Sequence, residues 1–367
     1  MYPSFAKYSC FMLREDLLGL EKLNGPILIT GHTGFKGTWL TLLLEKLGVQ
    51  CIGFSLPPER DSLFSRIHNS KEPPDEYGDI RNLQALQSFF NVYKPSAVIH
   101  LAAQPLVLRS FKMPIETFET NSMGTANLLK VASEFSCVKS MIIATTDKVY
   151  DNDESGKFFK ESDPLRGKDP YSSSKVAAEA AVDAWREISR LNGGPKITSV
   201  RAGNVIGGGD SAENRLLPDA IRSFSKLESL VVRNPNSVRP WQHVLDPLLG
   251  YLMVLSKSLL EDSFDVRAVN FSPNAHGLSV REVVEVVKMN WPNETFVSFE
   301  DAGSIAKKES GLLNLDSSFA EQEFCWFPNW SQEEAVRSTV LWWRDHLLND
   351  IDAKTLCQRN IDELLEE

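Results

Sequence analysis

The chain has 367 residues, of which 42% are hydrophobic and 24% charged, and this ordinary globular composition excludes a disordered or repetitive chain. Its formal net charge of -10 disfavours nucleic acid or an anionic membrane as a partner, because either needs a broad basic surface. No run approaches the roughly 20 uncharged apolar residues that a membrane-spanning helix requires.

Residues 1–24 precede the first predicted strand and form an N-terminal extension. Lys7, Arg14 and Glu15 interrupt its apolar residues, so we expect no secretion signal. The segment Phe11–Leu23 has the spacing of a short amphipathic helix.

The five cysteines of the whole chain are too widely spaced for a zinc site or a redox pair. We therefore expect a soluble, cytoplasmic protein with reduced thiols and no metal.

Strand and helix patterns alternate through the first half of the chain. Short apolar runs predict strands at Pro26–Thr30, Val49–Ser55, Ala97–Ala103, Ser140–Thr146 and Ile197–Gly203. Apolar residues recur at helical intervals in Lys36–Leu47, Asn121–Glu134 and Tyr171–Leu191. This alternation is typical of an α/β fold with a doubly wound parallel sheet, which we predict for residues 25–203.

The first strand leads into Gly31-His32-Thr33-Gly34-Phe35-Lys36-Gly37, a G-x-x-G-x-x-G turn that opens directly into a helix. Glycines let the backbone approach a pyrophosphate, and the helix N-terminus favours its charge. A tight turn without a ligand is the alternative, but the position after the first strand, with Asp79 downstream, favours dinucleotide binding. The second strand ends at Ser55 rather than at an acid, and Arg60 could meet a 2′-phosphate, so NAD and NADP both stay open.

Candidate proton-transfer residues come from two predicted elements. Tyr171 and Lys175 lie four residues apart on one helix face, where the lysine would stabilise a phenolate whose reference pKa is about 10. Thr146, Asp147 and Lys148 follow the fourth strand, at the sheet edge where such folds bind ligands. Thr146 would share a proton with a substrate hydroxyl, Asp147 would donate one to a leaving water, and Lys148 would take one from carbon. A surface ion pair is the alternative for Asp147 and Lys148.

Beyond Asn204 the pattern changes to a glycine-rich loop, short strands and helices such as Val280–Met289. We predict that residues 204–345 form mainly a smaller mixed α/β substrate-binding lobe, followed by a helical tail at 346–367. The guanidinium group of arginine binds diphosphates well because it can donate two parallel hydrogen bonds. Four arginines are present in the second half of the chain: Arg201, Arg215, Arg233 and Arg239. His100 and His243 are expected to be structural.

These residues, in this order, resemble the extended short-chain dehydrogenase/reductase family over Pro26–Trp343. The strings GHTGFKGTWL, GDIR, HLAAQPLV, TTDKVYDN, DPYSSSK, VRAGNVIGGGD and RNPNSVRPWQHV are similar to its nucleotide-sugar 4,6-dehydratase branch, in particular to the members that use CDP-glucose. The resemblance implies a Rossmann fold with NAD as the cofactor, NADP remaining open. It implies cofactor contacts from Gly31, Thr33, Gly34, Phe35, Lys36, Gly37, Ser55, Asp79, Ile80, Leu101, Ala102, Ala103, Tyr171 and Lys175. It implies substrate contacts from Gln104, Asn204, Arg215, Arg233 and Arg239.

The resemblance also implies an internal redox cycle. Tyr171 removes the proton of the sugar 4-hydroxyl while hydride leaves C4 for the nicotinamide. Asp147 helps water to leave C6, and the hydride returns to C6 to give a 4-keto-6-deoxy sugar. Related dTDP-glucose enzymes carry a glutamate where this chain has Lys148, so we expect Lys148 to take the C5 proton. The family further implies a homodimer formed through Asn121–Glu134 and Tyr171–Leu191, and a product destined for surface polysaccharide.

Three alternatives remain at this point: a GDP- or dTDP-sugar dehydratase, a nucleotide-sugar 4-epimerase, and a dinucleotide sensor without catalysis. An epimerase has no use for the Asp147–Lys148 pair, because no water is eliminated. A sensor has no use for Tyr171 and Lys175. No residue pattern identifies the nucleotide base.

Overall fold

The structure is a computed structural model that describes residues 16–68, 76–273, 277–293, 295–300 and 312–366. Its strands, in chain order, are β1 Ile27–Thr30, β2 Cys51–Ser55, β3 Glu76–Tyr77, β4 Ala97–His100, β5 Ser140–Ala144, β6 Phe158–Phe159, β7 Lys196–Ala202, β8 Asn204–Ile206, β9 Leu230–Arg233, β10 Val238–Arg239, β11 Trp241–His243, β12 Ala268–Phe271, β13 Leu278–Ser279, β14 Val297–Glu300 and β15 Asn314–Leu315. Seven of them form one sheet in the order β12-β7-β5-β4-β1-β2-β3, and all neighbouring pairs are parallel.

The α-helices of the described residues are α1 Phe35–Lys46, α2 Leu63–Ile67, α3 Leu83–Tyr93, α4 Val107–Lys112, α5 Pro114–Phe118, α6 Gly124–Glu134, α7 Pro170–Asn192, α8 Leu216–Lys226, α9 Leu245–Leu260, α10 Val280–Asn290, α11 Ser318–Phe324, α12 Gln332–Leu348 and α13 Ala353–Glu366. Short 3-10 helices cover Leu18–Lys22 and Asp147–Val149, and a π-helical turn covers Glu119–Met123. None of these helices, within the described ranges, has the length and apolarity needed to cross a membrane.

The central sheet is covered on both faces, as the continuous apolar strands require. Alternate residues of each strand point to opposite sides: Ile27 and Ile29 join one apolar cluster with α1 and α9, whereas Leu28 joins another with α3, α6 and α7. Because both faces are buried, the carboxyl edge of the sheet is where its strands meet loops and solvent. This edge carries the candidate site.

The predicted α/β fold with a doubly wound parallel sheet is confirmed, and the five predicted strands and four predicted helices form with shifted ends. Residues 101–103, predicted as strand, leave the sheet after His100, and the predicted helix Asn121–Glu134 begins in the π-helical turn. The prediction for Phe11–Leu23 is only partly testable, since the first fifteen residues lie outside the described ranges. In the described part of this segment, the structure has a 3-10 helix at Leu18–Lys22, which packs on α9.

The predicted lobe and tail need correction at their boundaries. Within residues 204–345, α9 and β12 belong to the central sheet layer, because β12 pairs with β7 and α9 packs on β5. The remaining short strands form two-stranded sheets beside it. The predicted tail 346–367 begins inside α12, which runs to Leu348, and its own helix α13 packs on α1 and α2.

Candidate active site

The turn between β1 and α1 has the geometry of a phosphate cradle. Gly31 adopts a φ of +77°, and a Cβ there would lie 2.7 Å from the backbone nitrogen of Ala102. At Gly37 a Cβ would lie 2.2 Å from the carbonyl oxygen of Gly31, so the turn and the helix touch backbone to backbone. Gly34 is the N-cap of α1, no side chain caps it, and the first turn carries no acidic residue. The N–H groups of this helix end are therefore open to an anion such as a pyrophosphate.

The glycine loop at residues 207–209 supports the cradle from the second half of the chain. The indole Nε1 of Trp39 donates to the carbonyl of Gly208 at 3.0 Å. A Cβ on Gly207 would lie 3.3 Å from the ring of Phe35, and one on Gly208 would overlap Trp342. Only glycine lets this loop pack so closely, so these glycines fix the loop against α1 rather than bind a ligand themselves.

Polar residues follow β2 and β3, next to the cradle. The hydroxyl oxygens of Thr33 and Ser55 lie 2.8 Å apart, and Thr33 also donates to the carbonyl of Leu56. Asp79 accepts from the guanidinium of Arg81, whose hydrogen bonding lowers the pKa of Asp79 below its ordinary value. Ile80 is buried beside them. These residues fit the ribose end of a dinucleotide, because an ionised carboxylate and hydroxyls accept from sugar hydroxyl groups.

A buried polar ladder connects β1 with the helix that carries Tyr171. Leu101 donates its backbone N–H to Thr30, whose hydroxyl lies 2.6 Å from His100 Nδ1. His100 Nε2 lies 2.9 Å from the hydroxyl of Thr125, which itself donates to the carbonyl of Asn121. His100 must therefore donate through Nε2 and is neutral, in agreement with burial that lowers its pKa to about 3. It is structural, as predicted.

The three candidates at the end of β5 lie together at the carboxyl edge. The hydroxyl of Thr146 donates to Asp147 Oδ1 at 2.9 Å, and Lys148 Nζ donates to the same oxygen at 3.0 Å. The Asp147 carboxyl is buried, and a Cβ on Gly203 would lie 3.3 Å from its second oxygen. The Lys148 side chain is 29% exposed, so the lysine end of this ion pair reaches solvent while the carboxylate is buried.

Tyr171 lies in the same site, with only 8% of its surface exposed. Burial raises the pKa of Tyr171 to about 12. Hydrogen bonding with Thr146 and the positive charge of Arg215 lower this pKa, but by less than burial raises it. The nearby charge of Asp147 raises it further. Desolvation of the phenolate therefore outweighs the opposing effects of Thr146 and Arg215 on this pKa. That Lys175 also favours the phenolate stays a prediction.

Two amines belong to the same site, because the charges of Arg215 and Asp147 act on Tyr171 and on Lys36, and that of Lys175 acts on Lys36. The Lys175 ammonium donates to the carbonyl of Ala144 at 3.1 Å, and burial lowers its pKa to about 8. Lys36 is partly buried, with its Nζ 5.9 Å from the centre of the Tyr251 ring. Burial and the charges of Arg215 and Lys175 lower the pKa of Lys36 to about 7. The sequence placed Lys36 in the cradle but gave no signal that its amine enters the catalytic site.

Three of the predicted substrate residues lie at or beside the site. Arg215 faces the site, because its charge acts on Tyr171 and Lys36, and it is also bonded to Asp210 at 2.8 Å. Asn204 pairs with Trp241 across β8 and β11, beside Gly203. Arg239 directly precedes Pro240, whose ring also lies near Gly203.

For three other polar residues, the structure gives no support for a substrate contact. Gln104 uses both amide donors and its amide oxygen on Leu106 and Thr117, so its side chain holds the loop together and our prediction of a substrate contact is not supported. Arg201 is buried against Glu179 rather than available to a diphosphate. Arg233 ends β9 in a two-stranded sheet with β14, and its side chain lies outside the described residues.

In the part of the chain that the structure describes, no group of three or more His, Cys, Asp or Glu side chains could hold a metal ion. Among the described residues, Cys51, Cys137, Cys325 and Cys357 form no disulfide. The site thus contains side chains that can transfer protons, positively charged groups, and a turn that fits a dinucleotide.

Comparison with known proteins agrees with this geometry. A sequence model of the GDP-mannose 4,6-dehydratase family matches residues 28–339. The chain is 39% identical over 323 residues to a CDP-glucose 4,6-dehydratase of Salmonella typhimurium, and the match covers 86% of this chain and 89% of that protein.

Solved structures share the fold. A dTDP-glucose 4,6-dehydratase from Streptomyces venezuelae, solved with NAD bound, has a TM-score of 0.74 at 23% identity, covering 87% of this chain and 97% of that one. A UDP-glucose 4-epimerase from Thermus thermophilus, in complex with NAD, has a TM-score of 0.73 at 22% identity, covering 89% of this chain and all of that one.

Proposed function

The chain belongs to the GDP-mannose 4,6-dehydratase family, within the extended short-chain dehydrogenases/reductases, and on that premise we propose that it is an NAD-dependent CDP-glucose 4,6-dehydratase. It converts the nucleotide-linked hexose to its 4-keto-6-deoxy form and is therefore a hydro-lyase. The observation that carries this assignment is the meeting of Tyr171 with Thr146 and Asp147 at the carboxyl edge of one sheet. The 39% identity to a CDP-glucose 4,6-dehydratase supports the choice of substrate.

The residues of the cradle fit NAD. Gly31, Gly34 and Gly37 leave room for a pyrophosphate at the uncapped end of α1, flanked by Thr33, Phe35 and Lys36. Ser55, Asp79 and Ile80 would hold the adenosine ribose, and Leu101, Ala102 and Ala103, which follow β4 beside Gly31, would contact the cofactor from the neighbouring strand. Lys175 and Tyr171 would hold the nicotinamide half. When bound, NAD supplies a hydride acceptor that later returns the hydride to the sugar.

The side chains of the site supply the proton transfers. Tyr171, in its phenolate form, takes the proton of the 4-hydroxyl, and hydrogen bonding with Thr146 favours that form. The resulting 4-ketone acidifies the C5 hydrogen. Transfer of a proton from Lys148 to Asp147 within this pair gives a neutral amine and a carboxylic acid. The Lys148 amine then takes the C5 proton, and the Asp147 acid protonates the hydroxyl that leaves C6 as water.

The substrate diphosphate is anionic, and the protein as a whole is acidic, so local cations must hold it. Arg215 and Arg239 are the arginines that we propose for this contact, together with Asn204 at the start of β8 and Arg233 at the end of β9. Arg215 contributes twice, because its charge also opposes the burial-raised pKa of Tyr171.

The direct test is to mix purified protein with CDP-glucose, GDP-mannose or dTDP-glucose in separate reactions and to record the alkali-induced absorbance of a 4-ketone. We expect the signal with CDP-glucose. A signal only with another nucleotide would change the base, and conversion of a UDP-hexose to its 4-epimer without a ketone would replace dehydration by epimerisation.

We also propose that the protein is a cytoplasmic homodimer whose product enters surface polysaccharide synthesis. Apolar side chains are exposed along the segment that packs against α7, among them Ile115 at 71% and Met123 at 59%. Leu191 near the end of α7 is 68% exposed as well. A second copy of the chain, pairing through the Asn121–Glu134 and Tyr171–Leu191 segments, would cover this surface.

A further inference from the structure

A buried carboxylate lies one helical turn beyond Lys175, away from the open site. Glu179 is 4% exposed and accepts hydrogen bonds from the hydroxyls of Thr145 at 2.6 Å and Ser199 at 2.7 Å. Arg201 donates to both of its oxygens, through Nε at 2.7 Å and NH2 at 3.0 Å. Thr145 joins β5 to Thr146, so this cluster lies directly beneath the catalytic residues. Neither Glu179 nor Arg201 has a role in the proton transfers proposed above.

Arg201 holds the carboxylate in its ionised form. Burial acts to raise the pKa of Glu179, but the charge and hydrogen bonds of Arg201 outweigh it and leave this pKa below its ordinary value. The remaining guanidinium nitrogen of Arg201 donates to the hydroxyl of Tyr150 at 2.8 Å and to the carbonyl of Glu161. Tyr150 in turn donates to Asn270 on the edge strand β12. The pair is thus fixed from three elements of the fold.

Lys175 needs such a partner because little else compensates its charge. Its side chain is 4% exposed, and its ammonium donates to one carbonyl oxygen, that of Ala144. The groups that face it are Lys36 from α1, which repels it, neutral His100 from β4, and Tyr171 and Glu179 on its own helix. The charges of Asp147 and Lys148 also act on Lys36. Among the described residues, Glu179 is the carboxylate whose charge favours the charged form of Lys175.

We propose that Glu179 is a positioning residue that keeps the Lys175 ammonium charged in its buried site, and that Arg201 holds Glu179 in place for this purpose. The charge matters because a cation near Tyr171 favours the phenolate that removes the sugar proton. Loss of the carboxylate would let Lys175 deprotonate at a lower pH. This inference rests on the proposed function for its reaction, although the charge state of Lys175 does not depend on the substrate.

The test compares Glu179→Gln with the wild type by the pH dependence of kcat/KM, using whichever nucleotide hexose the wild type converts. The amide keeps acceptors for Thr145 and Ser199 but loses the charge. We expect the basic limb of the profile to move to lower pH by about one unit or more, the usual effect of an opposite charge at close range. Glu187→Gln, on the same helix in an exposed pair with Arg190, is the matched control and should leave the limb in place.

Glu179→Gln leaves Arg201 buried without its carboxylate and could fail to fold. The double variant Glu179→Gln/Arg201→Met removes both charges of the buried pair, so it should fold. Its basic limb should move in the same direction as that of Glu179→Gln but by less, because the lost guanidinium had opposed the lost carboxylate. Glu179→Asp should move the limb less than Glu179→Gln. A folded double variant whose basic limb coincides with that of the wild type would overturn the proposal.

A second readout separates this inference from the proposed function. The affinity for NAD+, measured by calorimetry across pH, should rise as Lys175 loses its charge, because an ammonium repels the nicotinamide cation. We expect the midpoint of that rise to lie at lower pH in the double variant than in the wild type. If no nucleotide hexose is converted, the proposed reaction fails, while an unchanged midpoint would refute the role of Glu179 independently.

Discussion

Two glycines with the same backbone conformation offer a controlled test of the cradle. Gly31 has a φ of +77° and Gly48, just after α1, has a φ of +70°. A Cβ on Gly48 meets nothing within 4 Å, whereas one on Gly31 would lie 2.7 Å from the nitrogen and 2.8 Å from the Cα of Ala102. Substitution by alanine therefore adds the same conformational strain at both positions but a steric clash at only one.

The magnitudes follow from these contacts. The left-handed conformation costs an alanine about 1 kcal/mol, so Gly48→Ala should lower the free energy of unfolding by about that amount. At Gly31 the clash is with backbone atoms, which no rotamer change relieves, and overpacking adds about 1–3 kcal/mol more. The displaced loop would also strain the bond from Leu101 N–H to the Thr30 carbonyl, now 3.0 Å. We expect Gly31→Ala to lower the free energy of unfolding by about 2–4 kcal/mol.

Urea unfolding followed by tryptophan fluorescence measures the stability of both variants, and calorimetry measures their affinity for NAD. Gly31→Ala should weaken NAD binding about tenfold or more, equivalent to about 1.4 kcal/mol, because the turn moves away from the pyrophosphate. Gly48→Ala should bind NAD like the wild type. Equal destabilisation of the two variants, or unchanged NAD affinity in Gly31→Ala, would refute the reasoning that close backbone contact shapes this cradle.

Four further predictions concern the reaction, the titration of the site and the assembly. Tyr171→Phe keeps the ring but removes the base, so turnover should fall by about a thousandfold or more while calorimetry still finds NAD bound; near-normal turnover would remove Tyr171 from its role. Asp147→Asn keeps an acceptor for Thr146 but loses the acid, and kcat should fall by about 10²–10⁴ with the circular dichroism spectrum unchanged; a normal kcat would assign the leaving water to another group. Because the pKa of Lys36 is about 7 in the folded protein and higher when unfolded, the unfolded chain binds more protons above pH 7 and stability should rise with pH from there; in Lys36→Met that rise should be smaller, and an identical slope in urea unfolding would contradict the assigned pKa. Ile115→Glu should give monomers by light scattering, whereas Val92→Glu, at an exposed residue of α3 outside the proposed pairing segments, should remain dimeric; a dimeric Ile115→Glu would place the interface elsewhere.

Local sequence patterns were sufficient for much of the sheet. Continuous apolar runs predict buried parallel strands, and β1 and β5 form within two residues of the predicted ends because both sheet faces are covered. Edge strand β3 has two residues, too few for a recognisable pattern, and was not predicted. Strand β12 was also missed, since its pairing with β7 depends on residues nearly 70 positions earlier in the chain.

Local patterns also predicted some features of the candidate site and missed others. Spacing places Tyr171 and Lys175 on one helix face, and the strand pattern places Thr146, Asp147 and Lys148 at the carboxyl edge. Spacing could not reveal that Gln104 is occupied by its own loop, because that depends on the path of the backbone through Leu106 and Thr117.

The sequence by itself determined the order of strands and helices, the glycine turn and the chemical types of the reacting side chains, because each of these depends on residues close together in the chain. Tertiary structure alone decided which charges surround each titratable group. The amine of Lys36 has its lowered pKa because Lys175 and Arg215, from α7 and the start of α8, lie near it in a desolvated space. Burial and the field of distant charges are properties of packing, and they set whether a tyrosine, a lysine or a carboxylate is ionised when the substrate arrives.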